Sequence, residues 1–173
     1  MEEKFLNGYF YNPTRGNLTI ERVMEEMINY MKEKPEKFYD IIVGCDSSSG
    51  EDPHFPVAIV ILRVGEGGRF FLKKISYPPS LRGKFSNWKM RVLEEVLLSC
   101  QLALFLRENF AQKIQKETIS FNYQLRYIHA DIGEQGQTRD MIREVIGLIR
   151  GNGFEPKIKP ESYVASTVAE RYS

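Results

Sequence analysis

The segment Ile41–Asp46 constrains the fold more than any other, because a run of apolar residues ends abruptly at a carboxylate. Such a run is typical of a strand that is buried on both faces of a sheet. An acidic side chain is costly to bury unless a cation compensates its charge. A second segment, residues 125–131, repeats the pattern and ends at Asp131. Two buried strands that both end in Asp therefore predict carboxylates that converge on a metal ion.

The spacing of apolar residues along the rest of the chain predicts an ordered series of helices and strands. We expect an irregular arm up to Gly16 and then a methionine-rich helix that Thr19 caps and Pro35 ends. Residues 41–46, 55–64 and 69–77 are predicted as strands. Further on, the predicted elements are a long helix capped by Asn87, a strand at 125–131, a helix from Thr138, an edge strand at 154–158 and a final helix from Pro160. The polar stretch 111–122 carries no clear pattern.

This order of elements predicts an α/β fold. The glycine-rich turn at residues 65–68 is typical of a hairpin, so the first three strands should form an antiparallel meander. Alternating helices and strands follow the meander. We therefore expect a mixed five-stranded sheet with helices on both faces, plus an N-terminal helix. The 173 residues suit one domain spanning 1–173, with residues 1–38 as an arm and helix packed on it.

Composition limits the possible partners and the compartment. The formal net charge is +1, so the overall charge does not indicate a nucleic-acid partner. Only the local distribution of basic residues can indicate one. Cys45 and Cys100 lie in apolar segments outside any paired-cysteine motif, which predicts buried reduced thiols and a cytoplasmic location. The first residues lack the basic-then-apolar layout of a signal peptide. No apolar stretch reaches the ~20 residues that span a bilayer.

Two further acids are candidates to join the Asp pair. On the long helix, Glu95 lies within the apolar stripe and is preferred over Glu94, whose neighbours are more polar. On the final helix, Glu161 falls in the predicted first turn and is preferred over Glu170. Each acid has a structural alternative, because an Asp that ends a strand often forms a turn and a Glu that begins a helix often serves the helix dipole.

A basic segment runs from the predicted third strand into the long helix. Seven Lys and Arg residues occur from Arg69 to Arg91 with no acid between them. Phosphates bind Lys and Arg, and unpaired bases stack on aromatic rings. The residues predicted to bind nucleic acid are Lys73, Lys74, Arg82, Lys84, Trp88, Lys89 and Arg91. The alternative is a solvated loop with buried aromatic rings. His129 has two interpretations as well, a buried hydrogen-bonded histidine or a proton-transfer group.

Several short motifs resemble the YkuK-like family of bacterial proteins, a branch of the ribonuclease H-like superfamily. They are Phe10-Tyr11-Asn12-Pro13 with Gly16, Gly44-Cys45-Asp46-Ser47, Phe71-Leu72-Lys73-Lys74, His129-Ala130-Asp131-Ile132-Gly133 and Lys157-Ile158-Lys159-Pro160. The resemblance covers nearly the whole chain and implies the ribonuclease H-like fold. Enzymes of that superfamily are typically metal-dependent nucleases or polynucleotidyl transferases. The resemblance would put Asp46, Glu95, Asp131 and an acid of the last helix in the carboxylate positions.

The leading hypothesis is therefore a nuclease that hydrolyses phosphodiesters with two Mg²⁺ or Mn²⁺ ions. Asp46 would bridge the ions, Glu95 and Asp131 would each hold one, and Glu161 would complete the site. The substrate could be RNA, DNA or a hybrid. One alternative is a nucleic-acid-binding module of the same fold without catalysis. Another is a structural protein that docks partners on Met24, Met27 and Met31 of the first helix, although these methionines are also typical of core packing.

Overall fold

A computed structural model describes residues 3–169 of the chain. The helices are α1 (Glu3–Leu6), α2 (Ile20–Glu33), α3 (Pro79–Arg82), α4 (Trp88–Gln115), α5 (Ile142–Gly151) and a C-terminal helical segment (Val164–Ala169). The strands are β1 (Phe10–Asn12), β2 (Gly16–Leu18), β3 (Phe38–Cys45), β4 (Phe55–Arg63), β5 (Gly67–Ile75), β6 (Asn122–Gln124), β7 (Tyr127–Ala130) and β8 (Glu155–Lys157). Short 3₁₀ turns at Gly83–Ser86 and Gln137–Met141 precede α4 and α5.

All eight strands join one mixed sheet in the order β2-β1-β5-β4-β3-β7-β8, with β6 also paired to β3. Strands β3, β4 and β5 pair antiparallel in succession, which confirms the predicted meander. Strand β7 pairs parallel to β3, and β8 pairs parallel to β7. Parallel strands end at the same edge of a sheet, so the chain segments that leave β3 and β7 start side by side.

The sheet contains more strands than the five predicted from the sequence. The arm before α2 is a small hairpin, and its strand β1 pairs with β5 at Tyr11 and Leu72. Gly16 has a φ of +74°, which lets the chain turn between β1 and β2. Strands of three residues are too short to show a period of two, so the sequence pattern predicts only an irregular arm here.

Helices cover both faces of the sheet, as expected. Helices α2, α4 and α5 pack on one face and form the larger hydrophobic core with β3 and β4. The C-terminal segment packs on the other face, where Val164 meets Ile42, Val60 and Leu72. Three methionines of α2 are fully buried in the larger core, namely Met24, Met27 and Met31. They are core residues and offer no docking surface.

Three helix boundaries differ from the sequence prediction. Helix α4 continues to Gln115 because Phe110 and Ile114 extend its apolar side into the unassigned polar stretch. Thr138 does not cap α5, which begins at Ile142; its hydroxyl accepts a hydrogen bond from the Gly133 N–H. The C-terminal helix begins after Ser162 instead of at Pro160. The caps predicted at Thr19 and Asn87 are confirmed, since both side chains accept a backbone hydrogen bond.

Over residues 3–169, no helix combines the length and the apolar character needed to cross a membrane. Both cysteines are buried free thiols, as predicted.

Candidate acidic site at the ends of the central strands

The two Asp residues lie next to each other because of strand register. Asp46 follows the last residue of β3, and Asp131 follows the last residue of β7. Cys45 and Ala130, the residues just before them, are paired across the two parallel strands. The backbone therefore places both carboxylates at one edge of the sheet.

Helix α4 contributes the third acid. It packs across β3, and its side chain Glu95 is only 8% exposed. Glu95 lines a narrow crevice together with Cys45, Ser99 and Asp131. The Ser47 backbone N–H donates a hydrogen bond of 2.9 Å to its carboxylate, and the Ser47 hydroxyl donates a second one. The helix thus holds Glu95 against the loop that follows β3.

Electrostatics show that these acids form one group. The pKa of Glu95 is raised to about 8, mainly by burial and additionally by repulsion from Asp46 and Asp131, while the Ser47 hydrogen bonds oppose the rise. The pKa of the neighbouring Cys45 thiol is also raised, first by burial and then by Glu95 and Asp46. Carboxylates from β3, α4 and β7 therefore share one poorly solvated region.

Asp131 has a partner of opposite charge. The Lys159 ammonium lies 3.2 Å from Asp131 Oδ1, and the two side chains are 51% and 19% exposed. The same oxygen is buried and accepts no hydrogen bond from the described residues. Lys159 therefore compensates the charge of Asp131 but leaves the hydrogen-bonding capacity of this oxygen unused.

Glu94 has different partners from Glu95, although its charge also raises the pKa of the Cys45 thiol. Its carboxylate accepts a hydrogen bond from the Tyr77 hydroxyl and lies 4.0 Å from the Lys4 ammonium. Tyr77 in turn packs on Phe55 and Phe85. Of the two adjacent glutamates, the structure brings Glu95 to the Asp pair and ties Glu94 to the N-terminal arm.

The fourth predicted acid, Glu161, is exposed and paired with a lysine. Glu161 precedes the C-terminal helix in a turn, where its N–H donates to the Ile158 carbonyl. Its side chain is 68% exposed and lies 3.6 Å from the Lys157 ammonium. The prediction that Glu161 occupies the first turn of the helix is wrong, because the helix starts later. The alternative acid, Glu170, lies outside the described residues.

The donor set of Asp46, Glu95 and Asp131 suits Mg²⁺ or Mn²⁺, because all three offer hard carboxylate oxygens and one of these oxygens lacks a hydrogen bond. The acids as they are arranged in the structure leave no space for a cation, however. Within the described range, no three Asp, Glu, His or Cys side chains already surround a common metal position. The crevice also has no room for a water molecule. Ser47 and Lys159 occupy the carboxylates that a cation would take, so these side chains would have to rearrange to admit one.

His129 has a structural role. Its Nδ1 accepts a hydrogen bond of 3.2 Å from the Val164 N–H, and the Tyr163 ring lies edge-on at 4.8 Å. Burial lowers the pKa of His129 to about 4, with a smaller contribution from Lys157. The neutral ring therefore links β7 to the C-terminal helix, which matches the interpretation as a buried hydrogen-bonded histidine.

The basic segment is only partly available on the surface. Lys73 is buried, its ammonium donates to the Asn7 carbonyl, and burial lowers its pKa. This corrects the expectation that Lys73 contacts nucleic acid. Arg82 forms a 2.9 Å ion pair with Asp52, and Arg91 donates to the Phe85 carbonyl. These two guanidiniums mainly stabilise the connection between β5 and α4.

Three lysines of the segment remain exposed, Lys74, Lys84 and Lys89. Trp88 is half-buried against the core, and the Lys89 ammonium lies 5.7 Å from its ring centre. The ring of Phe85 is buried, so it offers no face on which a base could stack. The surface that could bind a phosphate backbone is therefore smaller than the sequence predicted.

Two residues of the site, Ser47 and Lys159, do not emerge as candidates from the sequence. Both lie in the motifs that carry the family resemblance, but their partners are distant in the chain: Ser47 and Glu95 are 48 positions apart. A motif shows which residues occur together locally and gives no information on which carboxylate each one meets.

Comparison with known proteins supports the family indicated by the motifs. Residues 22–173 match the family described as Ribonuclease H-like. The chain is also 32% identical over its full length to the protein named "Uncharacterized protein YkuK" from Bacillus subtilis (strain 168), of which it covers 99%. No solved structure matches the chain.

Proposed function

Because the chain belongs to the ribonuclease H-like family, we propose that it is a divalent-metal-dependent nuclease that acts at Asp46, Glu95 and Asp131. The family indicates a function connected with nucleic acid. The observation that carries the finer proposal is that the buried Glu95 lies close to Asp46 and Asp131; its pKa is about 8, mainly because of burial and partly because the two Asp residues repel its charge. Strongly perturbed carboxyl groups in a crevice are candidates for a functional site.

The chemistry proposed for each acid follows from its position. Asp46 is the first residue after the central strand and would bridge two ions, while Glu95 and Asp131 would each hold one. Bound Mg²⁺ or Mn²⁺ would supply a Lewis acid and an activated water. Cation binding would require Glu95 to give up the proton that its pKa of about 8 retains at neutral pH. Glu161 would have to leave Lys157 to take part, so the proposal relies on the other three acids.

A cleavage assay tests this proposal. Purified protein is incubated with single-stranded, double-stranded and hybrid substrates, with Mn²⁺ or with a chelator. We expect metal-dependent cleavage that falls by about 100-fold or more in Asp46→Asn, since even supporting groups of metal sites contribute 10- to 100-fold. Glu94→Gln is the matched control and should cleave like the wild type. Cleavage by Asp46→Asn at the wild-type rate, or none by the wild type, would contradict the proposal.

A second candidate function is nucleic-acid binding without catalysis. The Asp131–Lys159 ion pair favours it, because it already neutralises one of the acids. The exposed Lys74, Lys84 and Lys89 would serve either function. Calorimetric titration with Mn²⁺ separates the two, since a pure binding module should bind nucleic acid in a salt-dependent way without taking up the metal.

The third candidate, a partner-docking protein, has no support on helix α2. It depends on exposure of Met24, Met27 and Met31, and all three are fully buried.

A further inference from the structure

We propose that Lys159 is a built-in counter-cation of the acidic site, which binds Asp131 in the metal-free protein and leaves it when a divalent cation binds. The inference rests on the proposed function, because it concerns the same carboxylates. It gives Lys159 a role as a competitor for the metal position.

Backbone contacts bring Lys159 to the site. Strand β8 runs parallel to β7, with His129 opposite Lys157. The segments that follow the two strands therefore leave the sheet at the same edge. The Lys159 N–H donates a 2.8 Å hydrogen bond to the Ile132 carbonyl. The side-chain stem then passes over Gly133, where an added Cβ would lie 3.1 Å from the Cβ of Lys159. The absence of a side chain at Gly133 therefore leaves space for this stem.

The geometry of the Asp131–Lys159 ion pair is that of a cation which a metal ion could displace. The ammonium contacts Asp131 Oδ1, the buried oxygen that accepts no hydrogen bond from the described residues. A metal ion would bind to this same atom. Lys159 is half exposed, so its flexible stem can carry the ammonium into water at low cost, whereas an arginine fork would hold the carboxylate in a fixed geometry. The pair therefore neutralises Asp131 without closing the site permanently.

Nearby Lys157 provides a matched control. It lies two residues earlier and carries the same charge, but its ammonium lies 3.6 Å from Glu161 and 4.7 Å from the Tyr127 ring centre. Removing Lys157 changes the general field near the site in the same direction. Only removal of Lys159 also frees Asp131.

The experiment is calorimetric titration of Mn²⁺ into wild type, Lys159→Met and Lys157→Met. A partly exposed ion pair contributes about 0.2–1 kcal/mol, so Lys159→Met should bind Mn²⁺ roughly 1.4- to fivefold more tightly than the wild type. Lys157→Met should change the affinity less. Gly133→Ala is a second variant that pushes on the Lys159 stem without altering any charge, and it should also tighten binding.

The possible results separate this inference from the proposed function. If the wild type binds Mn²⁺, Asp131→Asn abolishes binding and Lys159→Met has no effect, the inference is overturned and the proposed function stands. If Mn²⁺ binds only to Lys159→Met, Lys159 blocks the site permanently, so both the replaceable counter-cation and the metal-dependent nuclease are overturned. If none of the variants binds Mn²⁺, both proposals are overturned.

Discussion

Two ionisable side chains are buried to nearly the same degree at opposite ends of the central strands. Arg63 is 7% exposed and Glu95 is 8% exposed. Arg63 ends β4 and is paired with Tyr39 near the start of β3, whereas Glu95 covers the end of β3. The two sites show different solutions to the cost of burying a charge.

The surroundings of Arg63 compensate its charge. The guanidinium donates to the Tyr39 hydroxyl at 3.0 Å and to the Tyr30 carbonyl at 2.8 Å. It also lies 4.1 Å from the centre of the Tyr30 ring and within 4.0 Å of Glu33 and Glu66. Burial acts to lower the pKa of Arg63, but these partners keep it above its usual value. Arg63 therefore stabilises this end of the sheet.

The surroundings of Glu95 supply two Ser47 donors and two like charges. Burial, together with repulsion from the two Asp residues, outweighs the Ser47 hydrogen bonds, so the carboxyl group keeps its proton up to a pKa of about 8. The difference teaches that burial alone does not identify a functional group. The informative feature is a buried acid whose surroundings disfavour its ionised form, because such an arrangement persists at a cost to stability.

The largest effect on stability should come from removing the Arg63 guanidinium, whose buried charge is compensated by its neighbours. Arg63→Met removes the guanidinium and leaves the Tyr39 hydroxyl and the Tyr30 carbonyl without this donor. We expect the free energy of unfolding to fall by about 3 kcal/mol, measured by denaturant titration. Arg69→Met is the control, because Arg69 also stacks on Tyr30, at 4.6 Å, but is exposed. It should cost about 0.5–1 kcal/mol. Equal losses for the two variants would refute the comparison.

An effect of similar size concerns the pH dependence of stability in the absence of metal. The pKa of Glu95 is about 8 in the folded protein, against 4.5 for an unperturbed Glu. The folded state therefore binds the proton more tightly, and its contribution to stability is complete below pH 4.5 and lost as the pH rises through 8. We expect a loss on the order of 2–4 kcal/mol over this window. Glu95→Gln should remove it and be more stable than the wild type at pH ~9.

Denaturant titrations at several pH values in a chelator measure this change. The control is Glu94→Gln, which lies next to Glu95 on α4 but faces Tyr77. Its stability should follow the wild-type pH profile. If Glu95→Gln shows the same decline as the wild type, Glu95 is not the group that causes the pH dependence, and its pKa is not raised in the folded protein.

The smallest effect on stability is expected at the exposed lysines. Changing Lys74, Lys84 and Lys89 to Gln should alter the free energy of unfolding by less than about 0.5 kcal/mol. The slope of nucleic-acid affinity against salt, followed by fluorescence anisotropy, should fall by about one for each phosphate that is no longer bound. Lys73→Gln is the control, because the buried Lys73 should affect stability and leave the slope unchanged. An unchanged slope in the triple variant would exclude this surface.

Much of the scaffold was predictable from local patterns. The caps at Thr19 and Asn87, the meander and the apolar strands before Asp46 and Asp131 all depend on neighbours in the sequence. The preference for Glu95 over Glu94 came from helical spacing alone, and the structure places Glu95 near the two Asp residues. The β1–β2 hairpin and the position of Glu161 were not predictable in this way, because short strands and turns carry weak local signals.

The sequence by itself determined the family, the order of the main elements and the acids at the strand ends, since periodicity, capping and motifs are properties of nearby residues. Only the tertiary structure decided how charges are paired. It joined Asp131 to Lys159, Glu95 to Ser47 and Lys73 to Asn7. These contacts depend on the register between distant strands, and burial then sets the cost of each charge, so no local pattern contains them.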